Sequence, residues 1–163
     1  MPNWCEGKLK IRGKRENIIR FIENSLIIVK HDKEMEKIIQ IDFCDDSDMV
    51  IRLNNIDGSE IQYLWIKNSK RNFIDYLDTD IRICKKSDNK HYTVLIIRGA
   101  WDIDVQTLLK ISKEFDLEFK TYCFECGGEF NRDIEISHGY LVKNQTIEFE
   151  DYDWECIDPT IGG

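Results

Sequence analysis

Between Gly99 and Phe130 the spacing of apolar residues changes period twice, and few folds accommodate that. Gly99-Ala100-Trp101 reads as the end of a strand. Val105, Leu108, Leu109, Ser112 and Phe115 then share one helical face. Asp102 or Asp104 is placed to cap that helix, and Lys110 and Lys113 lie toward its C-terminal end, where positive charge suits the dipole. From Leu117 the period drops to two. Leu117, Phe119, Thr121 and Cys123 alternate with Glu118, Lys120 and Tyr122, the pattern of a half-buried strand. A turn at Glu125-Cys126-Gly127-Gly128 closes the stretch.

The same two periods recur on either side. Leu9 and Ile11 alternate with Lys8, Lys10 and Arg12, and Gly13 ends that strand; Ile18, Ile19, Ile22 and Leu26 then fall on one helical face with Phe21 at its flank. Residues 81–85 and 92–98 flank a polar link and predict a β-hairpin. The run 94–97 is apolar without alternation, as for a central strand covered on both faces. Residues 134–136, 140–142 and 146–149 predict a β-meander with turns at His138-Gly139 and Lys143-Asn144-Gln145. Residues 31–80 admit several readings. Ile38, Ile39, Ile41 and Phe43 suit a strand or the end of a short helix, 54–58 is a turn by residue chemistry, 61–66 is β-prone, and 72–77 suits one helical turn. The order of elements, with right-handed crossovers, predicts an α+β fold: a ferredoxin-like split βαβ sandwich with one antiparallel sheet and two helices on a single face. The expectation is one domain over residues 1–163, with 31–80 as an insertion after the first helix and 131–163 as an appended β-meander and acidic tail.

Three stretches carry a resemblance. Pro2-Asn3-Trp4-Cys5-Glu6, with Leu9, Ile11 and Gly13 following, is the first. Asn68-Ser69-Lys70-Arg71-Asn72-Phe73 is the second. The third runs from Ala100-Trp101-Asp102 through the helix to Tyr122, Phe124-Glu125, Gly128 and Phe130, with Gly139 beyond. Together they resemble the Api92-like or YubB-type family of small phage and plasmid proteins. The chain departs from the family pattern at Ser69 and in Asp102-Ile103-Asp104 after the tryptophan. The resemblance implies a ferredoxin-like fold and an origin in a phage or mobile element; it implies no reaction.

Charge narrows the function classes. The chain has 23 basic and 31 acidic residues, a net charge of −8. Residues 1–33 hold eight basic against four acidic groups, leaving fifteen against twenty-seven in the remainder. Asp42, Asp45, Asp46 and Asp48 form one acidic cluster. Glu148, Glu150, Asp151, Asp153, Glu155 and Asp158 form another, with no Lys or Arg after Lys143. Direct nucleic-acid binding by charge alone is disfavoured, since it needs cations to displace counterions from phosphates. No apolar run reaches the roughly 20 residues of a membrane helix. With no export signal and six scattered cysteines, the expectation is a cytoplasmic protein of the host cell with reduced thiols.

Candidate chemistry is sparse. Cys123 and Cys126 before two glycines suit a zinc knuckle, with His138 as a third ligand and Cys5 or Cys156 arriving only by folding. A structural zinc needs four ligands, so no cofactor is expected, zinc being the one metal this trio would suit. His31, His91 and His138 sit in polar or turn contexts, and no nucleophile or phosphate-cradling motif accompanies them; an enzyme is not expected. Trp101, between a strand and a helix cap, reads as core. Trp154 among acidic residues reads either as a protein-binding anchor or as a ring buried by a folded-back tail. The expected function is binding of a host protein, a nuclease or another nucleic-acid-handling or defence enzyme, in the manner of an anti-CRISPR inhibitor. The residues are Glu148, Glu150, Asp151, Asp153, Trp154, Glu155, Asp42, Asp45, Asp46 and Asp48. The alternative is a nucleic-acid-binding module using Lys8, Lys10, Arg12, Lys14, Arg15 and Arg20.

Overall fold

A computed structural model describes residues 2–30, 33–44, 48–77 and 80–163. The chain begins with β1 (Trp4–Gly13), α1 (Arg15–Ser25), β2 (Leu26–Lys30) and β3 (Lys33–Met35). Next come β4 (Lys37–Phe43), β5 (Met49–Asn55), β6 (Tyr63–Ile66) and β7 (Asn72–Asp75). The hairpin β8 (Ile81–Ser87) and β9 (Lys90–Ala100) leads into α2 (Val105–Phe115). Finally, β10 (Glu118–Glu125), β11 (Phe130–Ser137) and β12 (Tyr140–Glu148) precede the short α3 (Tyr152–Glu155).

The strands form one antiparallel sheet in the order β12-β11-β10-β1-β9-β7-β6-β2-β3, with β8, β5 and β4 branching from β9. The branch occurs because β9 is long enough to pair twice. Its first residues meet β8 and its last meet β7. The helices α1 and α2 touch each other and pack on the central strands. Between them and the sheet lie Leu9 and Ile11, Leu95 and Ile97, Phe119, Ile134 and Ile136, all buried. Phe21 of α1 meets the rings of Phe115 and Phe119 with centroids 6.3 and 5.8 Å away. Each such side chain contributes about 1.5–3 kcal/mol by leaving water.

The two-helix ferredoxin-like sandwich is not what this chain builds. Of the described residues, 53% are in strands and 17% in helices, and the sheet has twelve strands. The segment whose periodicity was ambiguous supplies β3 to β7. Its short Ile- and Val-rich runs, separated by Asn, Asp and Gly, favour pleated pairing over helix. Among the described residues no helix is long and apolar enough to cross a membrane.

Three local expectations also change. The run 94–97 is covered on one face only: Leu95 and Ile97 are buried, whereas Val94 and Ile96 are exposed. Opposite these exposed residues stand Lys10 and Lys8, whose aliphatic stems can shield them. Lys143-Asn144-Gln145 is not a turn but the middle of β12, where it pairs with Glu135, Ile134 and Asp133 across a bulge. Ladder hydrogen bonds outweigh the turn preference of Asn144. Trp101 is 58% exposed, not core. It adopts a left-handed φ of 65° that turns its ring outward beneath the Arg71 guanidinium, 5.3 Å from the centroid.

Candidate protein-docking site

The C-terminal segment folds back and is pinned from below. Asn131, at the start of β11, is 1% exposed. Its amide donates to Tyr122 Oη at 3.1 Å and to Cys156 Sγ at 3.3 Å. Its carbonyl accepts from Tyr152 Oη at 3.1 Å. Burial first, and Cys156 second, push the Tyr152 phenol above its ordinary pKa, so it stays a neutral donor. Phe149 closes over it edge-on at 5.3 Å. Further along, the Cys126 thiol donates to the Gly162 carbonyl at 3.1 Å, and the Gly163 N–H donates to the Trp4 carbonyl at 2.9 Å. Gly162 has φ +81°, and a Cβ there would stand 2.4 Å from the Phe124 carbonyl oxygen, so only glycine fits.

This pinning decides where Trp154 goes. The Asp151 carbonyl accepts from the Trp154 and Glu155 N–H groups at 3.2 and 2.9 Å, winding residues 152–155 into one helical turn. Residues four apart share a helical face, so Tyr152 and Cys156 both point inward and are buried. Trp154, midway between them, points out and is 86% exposed, and Ile157 is 93% exposed. The tail therefore folds back, but the ring it buries is that of Tyr152; the alternative of a buried Trp154 is not what the chain builds. On the same segment, flanking the two apolar side chains in sequence, are Glu148, Glu150, Asp151, Asp153, Glu155 and Asp158. Among the described residues none has a Lys or Arg partner. Glu155 Oε2 accepts from the Glu150 N–H at 3.2 Å, and Asp158 Oδ1 from Thr160 Oγ1 at 2.8 Å.

The other acidic cluster has a different environment. Asp42 lies 3.7 Å from Arg52 and accepts from Gln40 at 3.1 Å. Asp48 accepts the Lys85 N–H at 3.2 Å. Asp45 and Asp46, like His31, lie outside the described residues. Phe43 beside them is exposed, with the Arg15 guanidinium 6.0 Å above its ring.

The metal candidates are not brought together. Cys123 is fully buried against Thr121 Oγ1, at 3.1 Å, and its neighbour Cys5. The hydrogen bond with Cys123 first, and burial second, push the Cys5 thiol above its ordinary range, which makes it unreactive. Cys126 sits in the β10–β11 turn, whereas His138 lies at the far end of the same strand pair, 2.7 Å from Asp116. Among the described residues no three of His, Cys, Asp and Glu form a metal-holding group. His91, despite its polar sequence context, is 7% exposed. Its place on β9, between Tyr92 and Lys90, alternates it onto the covered face.

The basic first strand is half neutralised. Lys8, Lys10 and Arg12 face outward on the open side of the sheet, but Arg12 makes a two-pronged pair with Glu118 at 2.6 and 2.7 Å. Lys120 is 3.2 Å from Glu135. A 670 Å³ groove runs past Lys10, Arg12, Lys86, Tyr92, Val94 and Lys120.

No family profile, curated protein or solved structure matches the chain.

Proposed function

We propose that this is a binding protein, not an enzyme, whose C-terminal knuckle docks onto a basic surface of a partner protein. One observation carries the reading: Trp154 and Ile157 stand out from a turn anchored by Tyr152 and Cys156, on a segment whose carboxylates have no Lys or Arg partner among the described residues. An exposed aromatic on a preorganised support is what binding energy concentrates on, and the surrounding charge steers a cationic partner and selects its orientation. Grooves that handle nucleic acid are cationic surfaces of this kind, because they must meet phosphates. Together with the resemblance to phage and plasmid proteins, that supports a nuclease or defence enzyme of the host as partner, met in the cytoplasm. The test is affinity capture by the tagged full chain from host lysate, with and without nuclease treatment. The reading expects a stoichiometric protein that survives nuclease and is released by raised salt. A capture that vanishes with nuclease would overturn it. It would favour instead a nucleic-acid module using Lys8, Lys10, Arg12 and the 670 Å³ groove.

A further inference from the structure

One face of the sheet lies under α1 and α2 and the other is open, and the two ends of the open face have opposite character. Tyr122 and Phe124 of β10 alternate with the covered Thr121 and Cys123, which puts them on the open face. Asn131 pairs across from Phe124 and donates to Tyr122 Oη, and Tyr152 and Cys156 rest on it. The C-terminal knuckle that carries Trp154 and Ile157 is therefore seated on the open face, at one end of β10 and β11.

The 670 Å³ groove lies toward the other end of the same two strands. It reaches Glu135 and Ser137, which stand about 13–20 Å along β11 from Asn131 at the rise of a strand. Its lining includes Tyr92 and Val94, which with Ile96 beside them are 40–45% exposed. Its free charge is positive. Arg12 is held by Glu118 and Lys120 by Glu135. Lys10 and Lys86 have no ion-pair partner among the described residues. The knuckle is the reverse, with two exposed apolar side chains on a segment of carboxylates that meet no Lys or Arg.

We propose that the groove receives the knuckle of a second copy of this chain. A knuckle pinned to Asn131 cannot reach the groove of its own molecule, so the complement comes from another. A two-fold axis that sets two open faces together, with their β10 and β11 strands running oppositely, puts each knuckle over the other copy's groove. Such an interface has to be complementary to itself. A face that is acidic and aromatic at one end, cationic and apolar at the other, meets that condition. Trp154 packs against Tyr92 and Val94, and Lys10 and Lys86 meet the carboxylates of the facing segment. The net charge of −8 on each copy opposes association, so the dimer is weak and forms at high concentration. The inference rests on the knuckle as the binding element of the proposed function and gives it a second occupant: self-docking hides Trp154 until a cationic partner displaces it.

The experiment is sedimentation velocity of the full chain over a range of concentrations, with the Trp154 indole NMR signal followed in the same samples. A reversible dimer and a concentration-dependent shift of that signal are expected. Trp154→Ala should weaken self-association roughly thirtyfold or more. Lys10→Glu combined with Lys86→Glu should weaken it about tenfold or more. Both lysines are exposed, so this variant should melt close to the parent chain. Mixing the two variants is the decisive arm. One keeps the groove and the other keeps the knuckle, so the mixture should associate more tightly than either variant alone. A parent chain that stays monomeric would overturn the proposal, as would a dimer insensitive to both variants or a mixture no tighter than its components. A monomeric chain whose Tyr92 ring signal moves with a single-stranded oligonucleotide would give the groove to nucleic acid and overturn it too. Partner capture separates this inference from the reading it rests on. The doubly substituted lysine variant keeps the knuckle and should capture at least as much partner as the parent chain. A parent chain that captures a partner yet never dimerises sinks the self-docking alone. One that dimerises as expected yet captures nothing upholds the self-docking and sinks only the host-partner reading.

Discussion

Asp104 and Asp153 both stand at the start of a helix, and their surroundings are opposite. The Asp104 carboxylate accepts from the Thr107 N–H, from Thr107 Oγ1 at 2.8 Å and from the Lys70 N–H at 2.8 Å. Asn72 completes the latch, its Oδ1 accepting the Asp104 N–H at 3.0 Å. Burial opposes the Asp104 charge, but the hydrogen bonds from Lys70 and Thr107 outweigh it and hold the carboxyl below its usual pKa. Asp153 and its acidic neighbours in the C-terminal segment meet no Lys or Arg among the described residues. One carboxylate ties the β6–β7 turn to α2; the other is exposed on the C-terminal segment, where the proposed function puts the partner. The difference shows where to look for function in a chain with 31 acidic residues, because charge count alone does not separate the two kinds.

Breaking the comparison at Asp104 should cost most in stability. Asp104→Ala removes a cap and two further hydrogen bonds to a charged group, a loss of about 2–3 kcal/mol. The thermal midpoint should fall by about 5–10 °C, with partner capture unchanged at a temperature where the variant is folded. Because the folded pKa of Asp104 is lowered, its contribution is complete above the usual carboxylate range and disappears as pH falls through the folded value. Parent and variant midpoints should therefore converge in acid, which a pH series of melts would show.

Tyr152→Phe sharpens the other side. It deletes the hydroxyl that holds the knuckle to Asn131 and should cost about 1–2 kcal/mol. Its larger effect is on binding, because Trp154 would then be presented on a looser support. The expected signature is faster amide exchange across 151–156 and a several-fold weaker complex, measured by hydrogen exchange and by titration of the captured partner. Asp42→Lys should do least. That carboxylate already faces Arg52, and an exposed pair of this kind is worth under about 1 kcal/mol; capture should match the parent chain.

The comparison also marks what could be read from the sequence. Both long helices stand where the 3.6-residue period put them, and β1 and β10 follow their alternation, because in these segments a single face is buried and the pattern records it. The β8–β9 hairpin stands where expected, but its unalternating run 94–97 concealed that only one face is covered. Residues 31–80 were opaque for a physical reason. Segments of three to seven residues with broken apolar runs are too short to separate helix from strand, and strand pairing with other strands decided them. The expectation of a two-helix sandwich failed with them. At the C-terminus the acidic ring and Trp154 were legible, whereas its support was not. Asn131 gives no hint in sequence that it underlies Tyr152 and Cys156, although their four-residue spacing marks one helical face.

The most direct test compares two baits, Trp154→Ala and Asp42→Lys, against the parent chain in quantitative nuclease-treated capture. Truncating a dominant aromatic anchor typically costs 2 kcal/mol or more. Trp154→Ala should therefore lose the partner by roughly thirtyfold or more while melting at the parent temperature, since the ring touches little of its own fold. Asp42→Lys should retain it. Equal capture by Trp154→Ala and the parent chain would contradict the account, because the one exposed tryptophan of the knuckle would then have no part in binding.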